Sequence, residues 1–227
     1  MLDICKKHGV FVISDEIHQD IIMSGHKHVP SAIAGDEAGV YDDILVTLTA
    51  ATKTFNLAAV QNSIVMIPDE KIRAKWDRFT QGIRVNDGNA FGYIAVRAAY
   101  EEGRPWFDEL LGVIEGNYRY FKERIEEELP YARVADHQGT YLLWVDFSAY
   151  MEKIITMAAD AYSTDKDAPD AGVTAMQHLM EDECGIAVDY GAWFGGSEYA
   201  ACIRMNLATC RENIETAADR IITALKK

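Results

Sequence analysis

Two apolar segments of the sequence each lead to a side chain that can ionise. Residues 10–14 run directly into Asp15, and the strand-like segment 43–49 is followed shortly by Lys53. The carboxyl ends of parallel strands face the ligand crevice of an open α/β sheet, so we expect these two side chains to meet there. A carboxylate and a lysine over one crevice could hold pyridoxal 5'-phosphate, because the lysine forms a Schiff base and the acid keeps the pyridine nitrogen protonated.

Neither residue is decisive alone. An aspartate after an apolar run is most often a turn or N-cap residue, and a lysine in a loop is commonplace. Lys53, however, lies between an apolar strand and the near-apolar segment 55–60, where desolvation favours the neutral, nucleophilic amine. The occurrence of both residues after successive strands therefore favours the cofactor interpretation.

Three motifs resemble those of a known enzyme family. SDEIHQD (14–20), TKTFNL (52–57) and IRMNLA (203–208) look like motifs of the MalY/PatB-type cystathionine β-lyases, which are C–S lyases among the fold-type I enzymes of the aminotransferase superfamily. The resemblance covers essentially the whole chain but not the family's N-terminal half, so the chain looks like a C-terminal part. It implies an α/β fold, with a remnant of the mostly parallel large-domain sheet and an α/β small domain.

The resemblance also implies roles for individual residues. Lys53 would be catalytic and would bind the cofactor, and Asp15 would pair with the pyridine nitrogen. His18 occupies the position where many aminotransferases carry a tyrosine near the phenolic oxygen, to which an imidazole can donate one hydrogen bond. Arg204 would capture the substrate α-carboxylate in a bidentate manner, although from spacing alone a surface salt bridge is the simpler interpretation.

The residues that would bind the cofactor phosphate are less clearly marked. The family usually has a serine three residues before the lysine and an arginine eight after it, but Ala50 and Gln61 stand at these positions. Thr52 is therefore a candidate phosphate ligand. Asn89 is a second candidate, because this polar stretch (84–92) reaches the partner's cofactor phosphate in relatives; a plain turn explains it equally well.

By resemblance, the expected activity is cleavage of cystathionine or related cysteine thioethers to a thiol, pyruvate and ammonia. A class I/II aminotransferase is the alternative, and a truncated, non-catalytic remnant is a second alternative. The histidine at the tyrosine position favours the lyase. The resemblance further implies a small amino-acid substrate and a homodimer.

The remaining segments predict how these residues are positioned. Residues 1–103 are expected to be the C-terminal portion of the cofactor-binding large domain, and 104–227 the small domain, with the break at Gly103-Arg104-Pro105. Apolar periodicity predicts helices over 70–82, 91–102, 106–129, 173–182 and 213–227, and strands over 63–67, 141–147 and 201–207. Residues 148–172 are expected to be an inserted loop, and His137 is expected to be exposed.

Composition excludes several classes of protein. A net charge of −14 without clustered Lys and Arg argues against nucleic acid and anionic membranes as partners. No apolar run approaches the roughly 18 residues of a membrane span. The four cysteines are widely spaced, which favours a reducing cytoplasm over a disulfide framework or zinc site. His26 and His28 lack further ligands at a recognisable spacing, so no metal is predicted.

Overall fold

A computed structural model describes residues 1–35, 37–85 and 88–227, which form two compact units. The first unit is Met1–Glu109 and the second is Leu110–Lys227. The division falls within a long helix, α5 (Arg104–Glu128), whose start at Arg104 follows the predicted break at Gly103. Both units combine helices with a sheet, as the predicted α/β class requires.

The first unit is built on a three-stranded sheet of order β1-β2-β3. β1 (Val12–Asp15) is parallel to β2 (Leu45–Thr49), and β3 (Ile64–Met66) runs antiparallel to β2. Burial along β2 alternates, since every second side chain points to the covered face. All three strands lie where the apolar segments predicted them.

The described part of the first unit also contains the helices α1 (Leu2–Lys7), α2 (Ala51–Thr54), α3 (Glu70–Ile83) and α4 (Ala90–Glu102). Single 3₁₀ turns occupy Ser31–Ile33 and Ala58–Val60. The carboxylate of Asp69 begins α3, because its Oδ1 accepts hydrogen bonds from the backbone amides of Lys71 and Ile72 at 2.9 and 2.8 Å. This cap confirms the predicted helix start. Asn86 and Asp87, in the predicted loop 84–92, lie outside the described residues.

The second unit contains an antiparallel sheet of order β4-β5-β7-β6. Its strands are β4 (Arg133–Val134), β5 (Leu142–Asp146), β6 (Asp189–Tyr190) and β7 (Cys202–Asn206). Its helices are the greater part of α5, then α6 (Met151–Tyr162), α7 (Ala171–His178) continued by a π turn (Leu179–Glu183), α8 (Ala192–Gly195) and α9 (Arg211–Lys226); 3₁₀ turns lie at Ser148–Tyr150 and Gly196–Tyr199.

Two long amphipathic helices supply much of the core of this unit. α5 and α9 bury residues at the spacing of one helical face, among them Ile114, Phe121, Ile125, Ile214, Ala218, Ile221 and Leu225. One polar group is buried with them. The Asn117 amide donates to the carbonyls of Leu207 and Thr209, both at 2.9 Å, and so fixes the end of β7 against α5.

Two predictions for this unit are wrong. Residues 148–172 are not simply a loop, because α6 occupies 151–162 and buries Ile154 and Ala158. The apolar residues of α6 have helical spacing, but the many Asp, Ser and Thr residues around them give the segment the composition of a loop. His137 is 6% exposed rather than exposed, and its ring packs on Tyr118 with 5.2 Å between centroids. Burial lowers the pKa of His137 more than its backbone bond to Thr140 and the nearby carboxylates raise it.

Among the described residues, no helix combines the length and the apolarity that a bilayer span requires.

Candidate active site

Asp15 and Lys53 emerge at the same end of two neighbouring parallel strands. Asp15 is the last residue of β1 and is paired in register with Leu48 of β2. β2 ends at Thr49, and the short helix α2 then carries Lys53 in its only turn. The sheet topology thus places the acid and the amine at the carboxyl ends of two neighbouring strands, as the sequence predicts.

Asp15 is exposed and its carboxylate is held locally. Its Oδ1 accepts a hydrogen bond from the backbone amide of Ile17 at 3.2 Å, an Asx turn that redirects the chain as it leaves the strand. Lys53 is half-buried, as are Thr52 and His18. The backbone amide of Leu57 donates to the carbonyl of Thr52 at 3.0 Å, which closes the turn after α2.

Asp20 links the segment after β1 to the helix that carries Lys53. Its Oδ2 accepts hydrogen bonds from Thr54 Oγ1 at 2.8 Å and from the Tyr100 hydroxyl at 3.1 Å. Thr54 is 2% exposed and is the neighbour of Lys53, so this bond restrains α2 directly. Burial, followed by the charge and the hydrogen bond of Asp20, raises the pKa of Tyr100 to about 12.

Glu16 is a buried carboxylate next to Asp15. Its Oε1 accepts from the Ser31 backbone amide at 2.8 Å and from Ser14 Oγ at 3.0 Å, and its Oε2 lies 2.9 Å from His28 Nε2. Burial alone would raise the pKa of Glu16, but the bonds from His28, Ser31 and Ser14 together lower it. This cluster fastens the loop that holds His28 to the end of β1.

Asn89 is the N-cap of α4. Its Oδ1 accepts from the Gly92 amide at 2.7 Å, and its Nδ2 donates to the Val60 carbonyl at 2.5 Å. The side chain is exposed and both of its polar atoms have protein partners. The structure therefore gives Asn89 a capping role, and its proposed contact with a phosphate remains a prediction.

A cavity of about 860 Å³ opens beside Asp15, entirely within the first unit. Asp15, Leu48 and Val65 line it from the sheet, and Trp76 and Tyr93 line it from α3 and α4. Its lining also contains Ala50 and Gln61, the two positions at which the sequence departs from the family's phosphate ligands. Lys53, Thr52, His18 and Asn89 are not among the lining residues in the described part of the chain.

Arg204 lies at the middle of β7 in the second unit. Its Nε and Nη2 donate to Asp189 Oδ2 at 3.0 and 2.8 Å, and its guanidinium carbon lies 4.4 Å from the centroid of the Phe194 ring. Trp144 of β5 is its neighbour across the sheet and packs edge-on against Phe194. The Arg204 side chain is 33% exposed, and its contacts with Asp189 and Phe194 fix the orientation of the guanidinium, which suits carboxylate recognition.

Residues 1–221 match the family model described as aminotransferase class I and II. The chain belongs to this family. It is 43% identical over 148 residues (65% of the chain and 38% of the relative) to PatB, a cystathionine beta-lyase of Bacillus subtilis. It is 28% identical over 226 residues (99% of the chain and 53% of the relative) to a cystathionine beta-lyase of Corynebacterium glutamicum.

Among solved structures, a PLP-bound C-S lyase from Staphylococcus hominis superposes with a TM-score of 0.80 at 28% identity, over 99% of this chain and 51% of that one. Nearly all of this chain is matched in these two relatives, and it spans about half of their length. The resemblance to MalY/PatB-type lyases is confirmed by PatB itself, and the fold is that of the PLP-dependent fold-type I enzymes.

In this aminotransferase-family chain, sequence reasoning missed three acids: Glu16, Asp20 and Asp189. Glu16 could have been found from strand alternation, since the side chain after an exposed Asp15 points to the opposite, covered face. Asp20 and Asp189 gave no such signal. Their partners are Tyr100, which is 80 positions from Asp20, and Arg204, which is reached only through the pairing of β6 with β7.

Proposed function

We propose that this chain is a pyridoxal-phosphate-dependent C–S β-lyase that acts on cystathionine or related cysteine thioethers. One observation carries the proposal: Asp15 ends β1, and Lys53 lies in the helix directly after β2, so both are at the carboxyl ends of adjacent parallel strands. The cystathionine beta-lyases and the C-S lyase among its relatives support the reaction type.

The residues present fit this cofactor. It needs an amine for covalent attachment and an acid for its ring nitrogen, and Lys53 and Asp15 offer these groups from neighbouring strands. Lys53 does not line the open cavity beside Asp15, but Ala50 and Gln61 line it at positions where the family binds phosphate, which supports a cofactor site on the Asp15 side. Thr52 and Asn89 are the proposed phosphate ligands, and His18 is the proposed hydrogen-bond donor to the phenolic oxygen.

When bound, pyridoxal phosphate supplies an electron sink for charge that develops at the substrate Cα. Lys53 would hold the cofactor through its amine and would remove the substrate Cα proton as a general base. The Asp15 carboxylate would hold a proton on the ring nitrogen. Arg204 orients the substrate through its α-carboxylate.

The β C–S bond then breaks and its electron pair leaves with sulfur as the thiolate, which takes up a proton. The three-carbon remainder adds one water and yields pyruvate and ammonia. The sum is thioether amino acid plus water to thiol, pyruvate and ammonia, so no oxidant or reductant is needed.

We also infer a homodimer and a cytoplasmic location. The homodimer is supported by the family resemblance alone. The location is supported by four cysteines that are all free thiols, two of them buried, which suits a reducing compartment.

Trapping the cofactor on the chain tests the central claim. The purified chain is loaded with pyridoxal phosphate, reduced with borohydride, digested and analysed by mass spectrometry. We expect the reduced cofactor on the peptide that contains Lys53, and no modification there in Lys53→Ala. Lys27→Ala, which removes an exposed lysine of a surface loop, is the matched control and should label normally. Labelling spread over surface lysines, unchanged in Lys53→Ala, would refute the proposal.

Product analysis separates the alternatives. A lyase releases thiol and pyruvate from cystathionine, whereas an aminotransferase converts an amino acid to its keto acid and leaves the aminated cofactor. The match to the aminotransferase family model is the reason to test for this second activity. Specific labelling of Lys53 without either product would indicate a chain that binds the cofactor but lacks groups needed for turnover.

A further inference from the structure

The helix that carries Lys53 is too short to fix its own position. α2 has four residues, and no side chain among the described residues caps its start at Ala50. A single helical turn is marginal in water, because too few hydrogen bonds form to repay the cost of starting the helix. The place of the Lys53 amine therefore depends on contacts that α2 makes with other parts of the first unit.

Thr54, the residue after Lys53, makes the first of these contacts. It is 2% exposed, and its Oγ1 donates a hydrogen bond to Asp20 Oδ2 at 2.8 Å. A bond to an ionised acceptor is stronger than one between neutral groups. Asp20 lies in the segment that continues from Asp15, so this bond joins the segment after the acid to the segment that carries the amine.

Phe55, the next residue, makes the second contact. Tyr100 packs on it edge-on with 5.2 Å between ring centroids, and Phe107 and Trp106 follow at 5.8 and 6.2 Å. Gly103 leaves room for this packing, because a Cβ atom there would lie 2.8 Å from Phe55 Cε1. The chain that leaves α2 is therefore held by three aromatic rings of α4 and the start of α5.

Tyr100 takes part in both contacts. Its ring packs on Phe55, and its hydroxyl donates to Asp20 Oδ2 at 3.1 Å. Because the pKa of Tyr100 is raised to about 12, the hydroxyl stays a donor at neutral and alkaline pH. We call Asp20, Tyr100, Thr54 and Phe55 the α2 clamp. In the described part of the chain, none of the four lines the cavity beside Asp15.

We propose that the α2 clamp positions Lys53: Asp20 and Tyr100 hold the two residues that follow it, and so keep its amine in place for covalent attachment of the cofactor. This inference rests on the proposed function, in which Lys53 forms that bond. A held amine attacks as though it were highly concentrated, because little freedom of motion is lost when the bond forms. Loosening the clamp should therefore reduce attachment, while non-covalent binding of the cofactor is retained.

Substitutions of Thr54 test the clamp. Thr54→Val removes the hydroxyl with little change of shape, and Thr54→Ser keeps it. Each protein is saturated with pyridoxal phosphate, and absorbance spectra give the ratio of lysine-attached to unattached cofactor. We expect this ratio to fall about tenfold in Thr54→Val, as for loss of a hydrogen bond to a charged group, and to recover in Thr54→Ser. Tyr100→Phe keeps the ring on Phe55 and should cause a smaller loss.

Two controls separate positioning from general support of the fold. Thr80 is also 2% exposed, and its hydroxyl donates to the Trp76 carbonyl within α3, so Thr80→Val should leave the ratio unchanged. In Lys53→Ala the cofactor can bind only non-covalently. Adding Thr54→Val to Lys53→Ala should then change the cofactor Kd by less than about twofold, as expected of independent sites.

Hydrogen exchange tests the clamp without cofactor. The backbone amides of Phe55 and Leu57 close α2 and the turn after it, with 2.9 and 3.0 Å to their acceptor carbonyls. Both amides should exchange faster in Thr54→Val than in the parent, because local opening of α2 becomes easier. Thr80→Val should leave both rates unchanged.

Three results would overturn the inference. The first is an unchanged attachment ratio in Thr54→Val, and the second is an equal loss of cofactor affinity with and without Lys53. The third is unchanged exchange of the two amides. A parent chain that attaches no cofactor at Lys53 would refute the proposed function and this inference together. A parent that attaches it normally, but is insensitive to Thr54→Val, would refute this inference alone.

Discussion

One oxygen of Asp189 accepts two hydrogen bonds from Arg204, from Nε at 3.0 Å and from Nη2 at 2.8 Å. The two residues face one another across β6 and β7, and Phe194 packs on the guanidinium at 4.4 Å. Asp189 thus occupies one edge of the arginine, and the other edge, formed by Nη1 and Nη2, has the geometry to take a second carboxylate end-on. In the proposed reaction that second carboxylate is the substrate's.

Neutralising Asp189 should therefore strengthen substrate binding. In Asp189→Asn the amide oxygen still accepts from Arg204, but the negative charge that repels an incoming carboxylate is removed. We expect KM for the thioether substrate to fall up to about fivefold with kcat nearly unchanged, because partly exposed charge pairs are worth roughly 0.2–1 kcal/mol. Steady-state kinetics of the cofactor-loaded protein measure this, with the exposed Asp160→Asn as control. An increase in KM would mean that the charge of Asp189 mainly positions the arginine.

Glu16 should make the stability of the chain depend on acid pH. Its pKa is lower in the folded chain than in the unfolded one, so its stabilisation is complete above the unfolded value of about 4.3 and is lost as pH falls through the folded value. Glu16→Gln should cost about 1–3 kcal/mol at pH 7, since it weakens buried charge-assisted bonds to His28, Ser31 and Ser14. Urea unfolding at pH 7 and pH 4, with the exposed Glu37→Gln as control, should show the two proteins converging at the lower pH.

The sheet and its ionisable ends follow from local signals. Each of these signals is encoded within a few positions: the apolar runs, the alternation along β2 and the residues at the strand ends. It could therefore be predicted without a structure that Asp15 and Lys53 lie at the ends of neighbouring strands. The Glu16–His28 pair could not. This pair depends on the path of the chain over the twelve positions from Glu16 to His28. The spacing of His26 and His28 does not indicate which carboxylate either histidine contacts.

Burial of polar residues is the second feature that the sequence does not reveal. His137 stands beside Asp136 and Gln138, a polar stretch that predicts exposure, yet it packs on Tyr118 from a helix that precedes it. His137 follows β4, and its burial depends on the ring of Tyr118, which is distant in the sequence. Local composition reports polarity, whereas burial depends on which element lies opposite.

Asp20 should control the titration of Tyr100. Because the pKa of Tyr100 is raised to about 12 by burial and by Asp20, its hydroxyl stays protonated in the folded chain to higher pH than in the unfolded one, and stability falls as pH rises above about 10. Asp20→Asn should lower this pKa towards 10 but leave the part due to burial. Ultraviolet difference titration, with Tyr100→Phe subtracted to isolate the residue, measures the shift. An unchanged titration in Asp20→Asn would show that burial alone raises the pKa.

Asn89 can be tested for its two possible roles separately, because capping and phosphate binding place different demands on the side chain. Capping needs an acceptor for the Gly92 amide, which Ser and Asp also provide, whereas a phosphate is repelled by a negative charge. Asn89→Ala should destabilise the first unit by about 0.5–2 kcal/mol, as loss of an N-cap usually does. Asn89→Ser should recover most of this stability in urea unfolding.

Asn89→Asp then distinguishes the roles. If Asn89 contacts the cofactor phosphate, directly or from the partner subunit of a dimer, this variant should unfold much like Asn89→Ser but bind pyridoxal phosphate at least tenfold more weakly, because like charges are brought together. Asp69 is the N-cap of α3 and already carries a negative charge, so Asp69→Ser provides a matched cap at another helix and should leave cofactor affinity unchanged. Equal cofactor affinity in Asn89→Asp and Asn89→Ser would restrict Asn89 to capping α4.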